Sequence, residues 1–241
     1  MTANVGHRAA VRLAGTAAAV FFLAAAGFGG TAVYFARGRD AALFDQYDVD
    51  GYSLQAFPER SGVRLVVRSL LPISQSRMPS TAGVRAPALA DSPERDRLAL
   101  GLAAGKTLQE QEARAILDWV RREVAYDPDR RRPQDPTSVF AFRRAYCVGF
   151  AELAVDLLRR AGLVAETVQG VLVSEPAAAG YSPDLSGAYH RWVRIFYRDC
   201  GWRFADPSGA GTVDARYVPF ARRSWTRPGD LRIDVISKGE R

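Results

Sequence analysis

The chain is short of the residues that most often carry chemistry. Two cysteines, Cys147 and Cys200, are too few in 241 residues to build a disulfide-dense scaffold. Two histidines, His7 and His190, are too few for most zinc sites. No phosphate-binding loop, dinucleotide fingerprint or metal-spaced His/Cys set occurs, so neither a metal nor a cofactor is expected. Lysine is nearly absent as well: all but Lys106 and Lys238 of the 33 basic residues are arginine, and against 26 acidic residues they leave a formal net charge of +7. The clusters Arg130-Arg131-Arg132 and Arg222-Arg223 have the charge to meet acidic polymers or anionic headgroups. No aromatic residues interleave with arginine in a nucleic-acid-binding pattern, so the preferred reading is a solvated surface and no nucleic-acid partner. No internal repeat is visible.

One long stretch lacks charge altogether. Leu13 to Ala36 spans 24 residues, mostly Ala, Val, Leu, Phe and Gly, with Arg8 and Arg12 before it and Arg37 and Arg39 after. About 20 apolar residues cross a bilayer as a helix, so residues 1–40 are expected to form an N-terminal membrane anchor with a single transmembrane helix. A cleavable signal peptide ending near Ala24-Ala25-Ala26 is the alternative. Basic residues at both ends leave the orientation open; a cell-membrane location with the remainder on the extracytoplasmic side is preferred.

Residues 41–106 read as an extended or linker region with a short strand at Val63–Arg68 and a Pro/Ser/Ala/Arg-rich arm from Pro72 to Pro93. From Thr107 the pattern changes. Thr107-Leu108-Gln109-Glu110 is a capping box, predicting a helix with Leu108, Gln111, Ala115, Leu117, Trp119 and Val120 on its imperfect apolar face, ended by Asp127-Pro128. A second helix opens at Cys147: Phe150, Ala151, Ala154, Leu157, Leu158 and Ala161 recur at helical spacing, and Gly162 stops it. Val164–Val173 reads as a buried strand. Ser174–Tyr189 is a long Pro- and Gly-bearing loop, expected to line a cleft and help set specificity. Two strand-like runs come next, His190–Tyr197 and Trp202–Pro207, and Tyr217–Phe220 and Leu231–Ile236 suggest a last strand or packing arm.

A thiol in the first turn of a helix lies where backbone N–H groups and the macrodipole favour negative charge. Cys147 also lies on the buried stripe of its helix, so a structural thiol is the competing reading. A cysteine nucleophile needs an imidazole to take its proton and a third group to orient that imidazole. Cys147, His190 and Asp206 provide these in chain order.

The linked motifs, Cys147 opening a helix that ends Leu157-Leu158-Arg159-Arg160-Ala161-Gly162-Leu163, then Thr167-Val168-Gln169-Gly170, His190-x-Trp192-Val193 and Gly201-Trp202-x-Phe204-x-Asp206-Pro207-Ser208, resemble the transglutaminase-like superfamily of cysteine enzymes over about residues 107–210. The resemblance implies catalytic roles for Cys147, His190 and Asp206, and an α+β, papain-like core in which the cysteine-bearing helix packs on an antiparallel sheet. Many members have glycine where Ala145 stands and alanine where Arg191 stands; Arg191 suggests an altered cleft rim. Residues 107–241 are accordingly expected to form the transglutaminase-like domain. The function expected is cysteine-dependent acyl transfer on a protein or peptide substrate, hydrolysis being preferred to cross-linking. A non-catalytic interaction module at the membrane is the alternative. Nothing in the sequence sets the oligomeric state.

For Asp206 to meet His190, the hairpin between them must have the right register. A three-residue loop Asp199-Cys200-Gly201, with Gly201 left-handed, pairs Asp206 with Arg194 and puts it on the His190 face. Asp206 then lies several residues along the ladder, and strand twist or a bulge is needed to close the gap.

Overall fold

The computed structural model describes residues 30–70, 75–81, 91–173, 188–209, 211–221 and 228–239. The end of the uncharged N-terminal run is not helical. Gly30–Arg37 forms strand β1, flanked on both sides by antiparallel partners, β4 (Gly62–Ser69) and β11 (Arg232–Gly239). Its Thr, Val, Tyr and Phe residues favour a pleated strand. Burial of Ala32, Tyr34, Phe35 and Ala36 in a sheet, rather than in lipid, explains the lack of charge there. The expected 24-residue membrane helix is therefore corrected at its C-terminal end; residues 13–29 lie outside the described residues. No helix among the described residues is long and apolar enough to cross a membrane.

The stretch expected to be extended or linker is also largely structured. Strands β2 (Tyr47–Val49) and β3 (Tyr52–Glu59) join β4, which contains the expected Val63–Arg68 strand, giving a five-stranded sheet in the order β11-β1-β4-β3-β2. Helix α1 (Pro93–Ala103) closes the stretch. Between them residues 75–81 do form an arm, fastened to elements later in the chain: Ser76 Oγ donates to Asp199 Oδ1 at 2.8 Å, and the backbone N–H of Thr81 donates to the buried Glu112 at 3.1 Å.

Helix α2 (Gln109–Glu123) starts later than the capping-box reading, because Gln111 and not Glu110 turns back, its Oε1 accepting from the N–H of Thr107 at 3.1 Å and of Leu108 at 3.4 Å. Glu110 instead accepts from the N–H of Ser76 and from Arg203. The buried face is Ala113, Ile116, Leu117 and Val120, so the expected face is right at Leu117 and Val120 and omits Ile116. A short parallel pair, β5 (Ala125–Tyr126) and β6 (Arg144–Ala145), brackets α3 (Pro136–Phe142), and the chain then enters α4 (Cys147–Arg160).

Four strands form the second sheet: β7 (Val164–Leu172), β8 (Tyr189–Tyr197), β9 (Gly201–Ala205) and β10 (Tyr217–Pro219), in the order β10-β7-β8-β9. Alternation along a strand gives this sheet two buried faces. Trp192, Phe204 and Tyr217 pack with Leu54, Leu65 and Val67 of the first sheet, whereas Val193, Ile195 and Tyr197 pack with Leu153, Leu157 and Ile116 of the helices. The chain is thus layered sheet, sheet, helices, with an α+β, antiparallel core of the expected kind in the second and third layers.

Candidate active site

Cys147 is the first residue of α4, and its approach is fixed from outside the helix. Tyr146, the residue before it, is extended and makes no side-chain cap. Gln134 does that work from the loop before α3: its Oε1 accepts from the N–H of Tyr146 at 3.1 Å and of Gly149 at 3.2 Å, while its Nε2 donates to the carbonyl of Arg132 at 3.1 Å. Unpaired N–H groups at a helix start must be satisfied. Those of Cys147 and Val148 donate to no protein group among the described residues, and both residues line the cleft.

His190 comes from β8, directly opposite Gly170 of β7, which in turn lies opposite Pro219 of β10. Gly170 is needed there because a Cβ would lie 2.2 Å from the carbonyl oxygen of Val218 and 2.6 Å from the Trp192 ring. The imidazole lies over Trp192, centroids 6.0 Å apart, with the Tyr217 ring edge-on at 5.8 Å. These contacts leave the ring few orientations.

Asp206 comes directly after β9, and the hairpin register differs from the expected one. Tyr197 pairs with Gly201 and Val193 with Ala205, so the loop is Arg198-Asp199-Cys200 and the continued ladder would set Asp206 opposite Trp192 rather than Arg194. Gly201 does adopt the left-handed conformation, φ 80°, but it opens the strand instead of ending the loop. The shift carries Asp206 two positions toward His190 while keeping it on the same face, and no further bulge is required. His190 Nε2 donates to Asp206 Oδ2 at 2.7 Å. The same oxygen accepts from Tyr217 OH at 2.9 Å, and Oδ1 accepts from the N–H and Oγ of Ser208, each at 2.8 Å.

With Nε2 engaged, the other ring nitrogen, Nδ1, is left for Cys147, which lies close enough to act on the charge of the ring. Burial alone would push the imidazolium pKa down. The hydrogen bonds to Asp206 and Cys147 and their charges outweigh it and push the ring up to about 10. Burial likewise drives the Asp206 carboxyl up, but the hydrogen bond and charge of His190 and the two Ser208 donors hold it below its ordinary value. An imidazolium and a carboxylate form the buried pair, and the Cys147 sulfur faces that cation and the start of a helix. Cys200 is in a contrasting place: burial pushes its thiol up to about 12, Arg203 pulling it down and Asp199 adding to the rise. The two thiols are not bridged.

Cys147 and His190 open on a cavity of about 250 Å³ walled by Tyr126, Arg130, Val148, Gln169, Tyr189 and Arg191. The three residues singled out in the sequence are thus brought together in the order an acyl-transfer site requires. Residues 96–207, which hold all three, match the sequence model of the transglutaminase-like superfamily. This part of the chain belongs to that superfamily. Among solved structures, a Cytophaga hutchinsonii protein described provisionally as a cysteine protease is 14% identical, with 88% of this chain and 86% of that one covered and a TM-score of 0.49. The periplasmic domain of TgpA from Pseudomonas aeruginosa is 17% identical, with 76% and 82% covered and a TM-score of 0.41. No curated protein matches the chain.

The supporting roles of Gln134, Ser208 and Tyr217 were not anticipated. Ser208 had a signal, since an Asp followed two residues later by a turn N–H is a common local pairing. Gln134 and Tyr217 had none, for each acts through contacts between separate elements. The expected cleft loop Ser174–Tyr189 lies outside the described residues up to 187; its last residue, Tyr189, does line the cavity. Among the described residues no group of three or more His, Cys, Asp or Glu side chains is placed to hold a metal ion.

Proposed function

We propose that the chain is a cysteine-dependent hydrolase of peptide or protein amide bonds, working through Cys147, His190 and Asp206. The observation that carries the reading is the continuous array from the Cys147 thiol through the His190 ring to the buried Asp206 carboxylate. The thiol proton rests on His190 Nδ1 in the imidazolium, and Sγ, freed of it, attacks the amide carbonyl carbon. The negative oxygen of the tetrahedral adduct is positioned to meet the N–H groups of Cys147 and Val148. Collapse breaks the C–N bond, and the leaving amine takes the proton from Nδ1, leaving a thioester on Cys147. Water then attacks the thioester carbonyl, gives a proton to His190, and the carboxylic acid leaves as the thiol is restored. Throughout, Asp206 holds the tautomer and stabilises the imidazolium.

Hydrolysis is favoured over amine transfer because the exposed Arg130 guanidinium at the cavity repels a protonated lysine approaching the thioester, whereas neutral water is indifferent to that charge. Incubation with casein and a fluorescent primary amine reads both outcomes. New amino termini in excess of incorporated amine, both abolished by Cys147→Ala, is the expected result. Incorporation exceeding cleavage would overturn hydrolysis, and Cys147 alkylating no faster than Cys200 would overturn the nucleophile.

A further inference from the structure

The run Arg130-Arg131-Arg132 does not behave as one solvated patch. Arg131 Nε reaches Asp129 Oδ1 at 2.9 Å and Arg132 Nε reaches Asp127 Oδ2 at 2.8 Å, so both charges are neutralised inside the loop. Arg130 makes no ion pair among the described residues; it is exposed and lines the cavity beside Cys147. Arg191, which also lines the cavity, is held in place by Glu152, Nη1 to Oε1 2.7 Å, with Gln169 Oε1 3.4 Å from Nη2. No carboxylate among the described residues lines the cavity. A cleft lined by one sign of charge, with low-dielectric walls, concentrates groups of the opposite sign.

We infer that this cleft selects an acidic peptide, one carrying an aspartate or glutamate side chain next to the amide to be cleaved, and that Arg130 is the residue that reads that carboxylate. The inference rests on Cys147 being the nucleophile. Guanidinium is suited to the task, since its planar fork accommodates a carboxylate through two parallel hydrogen bonds. Arg191, whose charge Glu152 already balances, shapes the cavity and leaves Arg130 to meet the carboxylate.

Two alkylating probes of nearly equal size, iodoacetate and iodoacetamide, differ in the charge that matters. The ratio of their rates at Cys147 in the full chain, at neutral pH and low salt and normalised to a small neutral thiol, should favour iodoacetate. Arg130→Gln should lower the ratio about three- to tenfold, the range for one unit charge acting across a solvated cleft. Arg130→Lys should restore much of it, and high salt should erase the difference between the two proteins. Arg131→Gln, whose charge is already paired in the loop, should leave the ratio as it is. An unchanged ratio in Arg130→Gln, or an equal fall in Arg131→Gln, overturns the inference while leaving rapid iodoacetamide labelling, and hence the nucleophile, intact. Slow iodoacetamide labelling of Cys147 relative to Cys200 in the unmodified protein would instead remove the nucleophile and the inference together.

Discussion

Replacing Asp206 by asparagine removes one charge and turns one acceptor into a donor, with almost no change of shape. The native carboxylate receives four hydrogen bonds, two on each oxygen: His190 and Tyr217 on Oδ2, the N–H and Oγ of Ser208 on Oδ1. An amide satisfies only half of that pattern. If its NH2 takes the Oδ2 position, Nε2 of His190 must become the acceptor, the ring proton moves to Nδ1, and the nitrogen facing Cys147 has no lone pair for the thiol proton. If its NH2 takes the Oδ1 position, it confronts the backbone N–H of Ser208 inside a site where Asp206 is 1% exposed.

The electrostatic loss adds to this. The pair lifts His190 from 6.5 to about 10 against a burial penalty that acts the other way. Without the carboxylate only the Cys147 contact opposes burial, and the ring falls well below its native value. Since the imidazolium is what holds the proton off the Cys147 sulfur, turnover and Cys147 alkylation should fall by about 10² to 10⁴, the upper figure being the loss seen for the equivalent change in a serine protease. The assay is iodoacetamide labelling of Cys147 as a function of pH, with circular dichroism to show an intact fold. The control is Asp199→Asn, whose target binds Ser76 and the N–H of Arg77, not the cleft; it should cost stability and spare the labelling rate. Labelling by Asp206→Asn at the native rate and with the native pH profile would refute the role given to Asp206.

Further consequences can be measured separately. Gly170→Ala drives a Cβ into the Val218 carbonyl and should lower stability by about 3 kcal/mol or prevent folding, whereas Gly101→Ala, in α1 with nothing within 4 Å, should be neutral or stabilising in thermal denaturation. Tyr217→Phe leaves Asp206 Oδ2 with one donor instead of two and should cost about 2 kcal/mol; a raised acidic limb in the Cys147 labelling profile distinguishes this from simple loss of packing. Stability should also depend on pH in a defined direction. The folded His190 pKa lies above its unfolded value, so its contribution is complete below about 6.5 and is lost as pH rises toward 10. That of Asp206, whose folded pKa is depressed, is present above about 4 and lost as pH falls below it. Urea denaturation from about pH 4 to 10 should show the alkaline decline, and Asp206→Asn should flatten it.

Much of the core was legible because helix and strand periodicities there are uninterrupted. The stripe from Cys147 to Ala161 predicted α4 nearly to the residue, and Val164–Val173 predicted β7. In the N-terminal sheet β4 and β11 were read as strands, but β1 and β3 were missed, for two physical reasons. In β1 both neighbours are strands, half the residues are buried and only Arg37 is exposed, so the chain reads as continuously apolar, as a membrane helix does. In β3 the signal is present but short: Tyr52 and Leu54 are buried, Ser53 and Gln55 are not, an alternation of period two that fades into an exposed second half. Hydrogen bonds such as Gln134 to Gly149, or Tyr217 to Asp206, join groups whose neighbourhood exists only after folding, and no spacing rule announces them.

The register of the β8–β9 hairpin decides whether the site exists. Opposed residues in an antiparallel pair share a face, so a slip of one residue would move Asp206 to the helix side with Val193 and Ala205. Sequence reasoning settled that parity correctly by demanding a shared face, but it placed the loop one residue late. The observed loop makes Asp206 a diagonal neighbour of His190, a separation of about 7–8 Å between backbones that two converging side chains span without distortion. Gly201 permits this, because its left-handed backbone lets the returning strand begin opposite Tyr197. The ladder then ends at Ala205, and Asp206 turns away to bridge Gly211, which frees its carboxylate from sheet packing and exposes both oxygens to donors from Ser208, Tyr217 and His190. The triad-like geometry therefore depends on where the sheet stops as much as on which residues it contains.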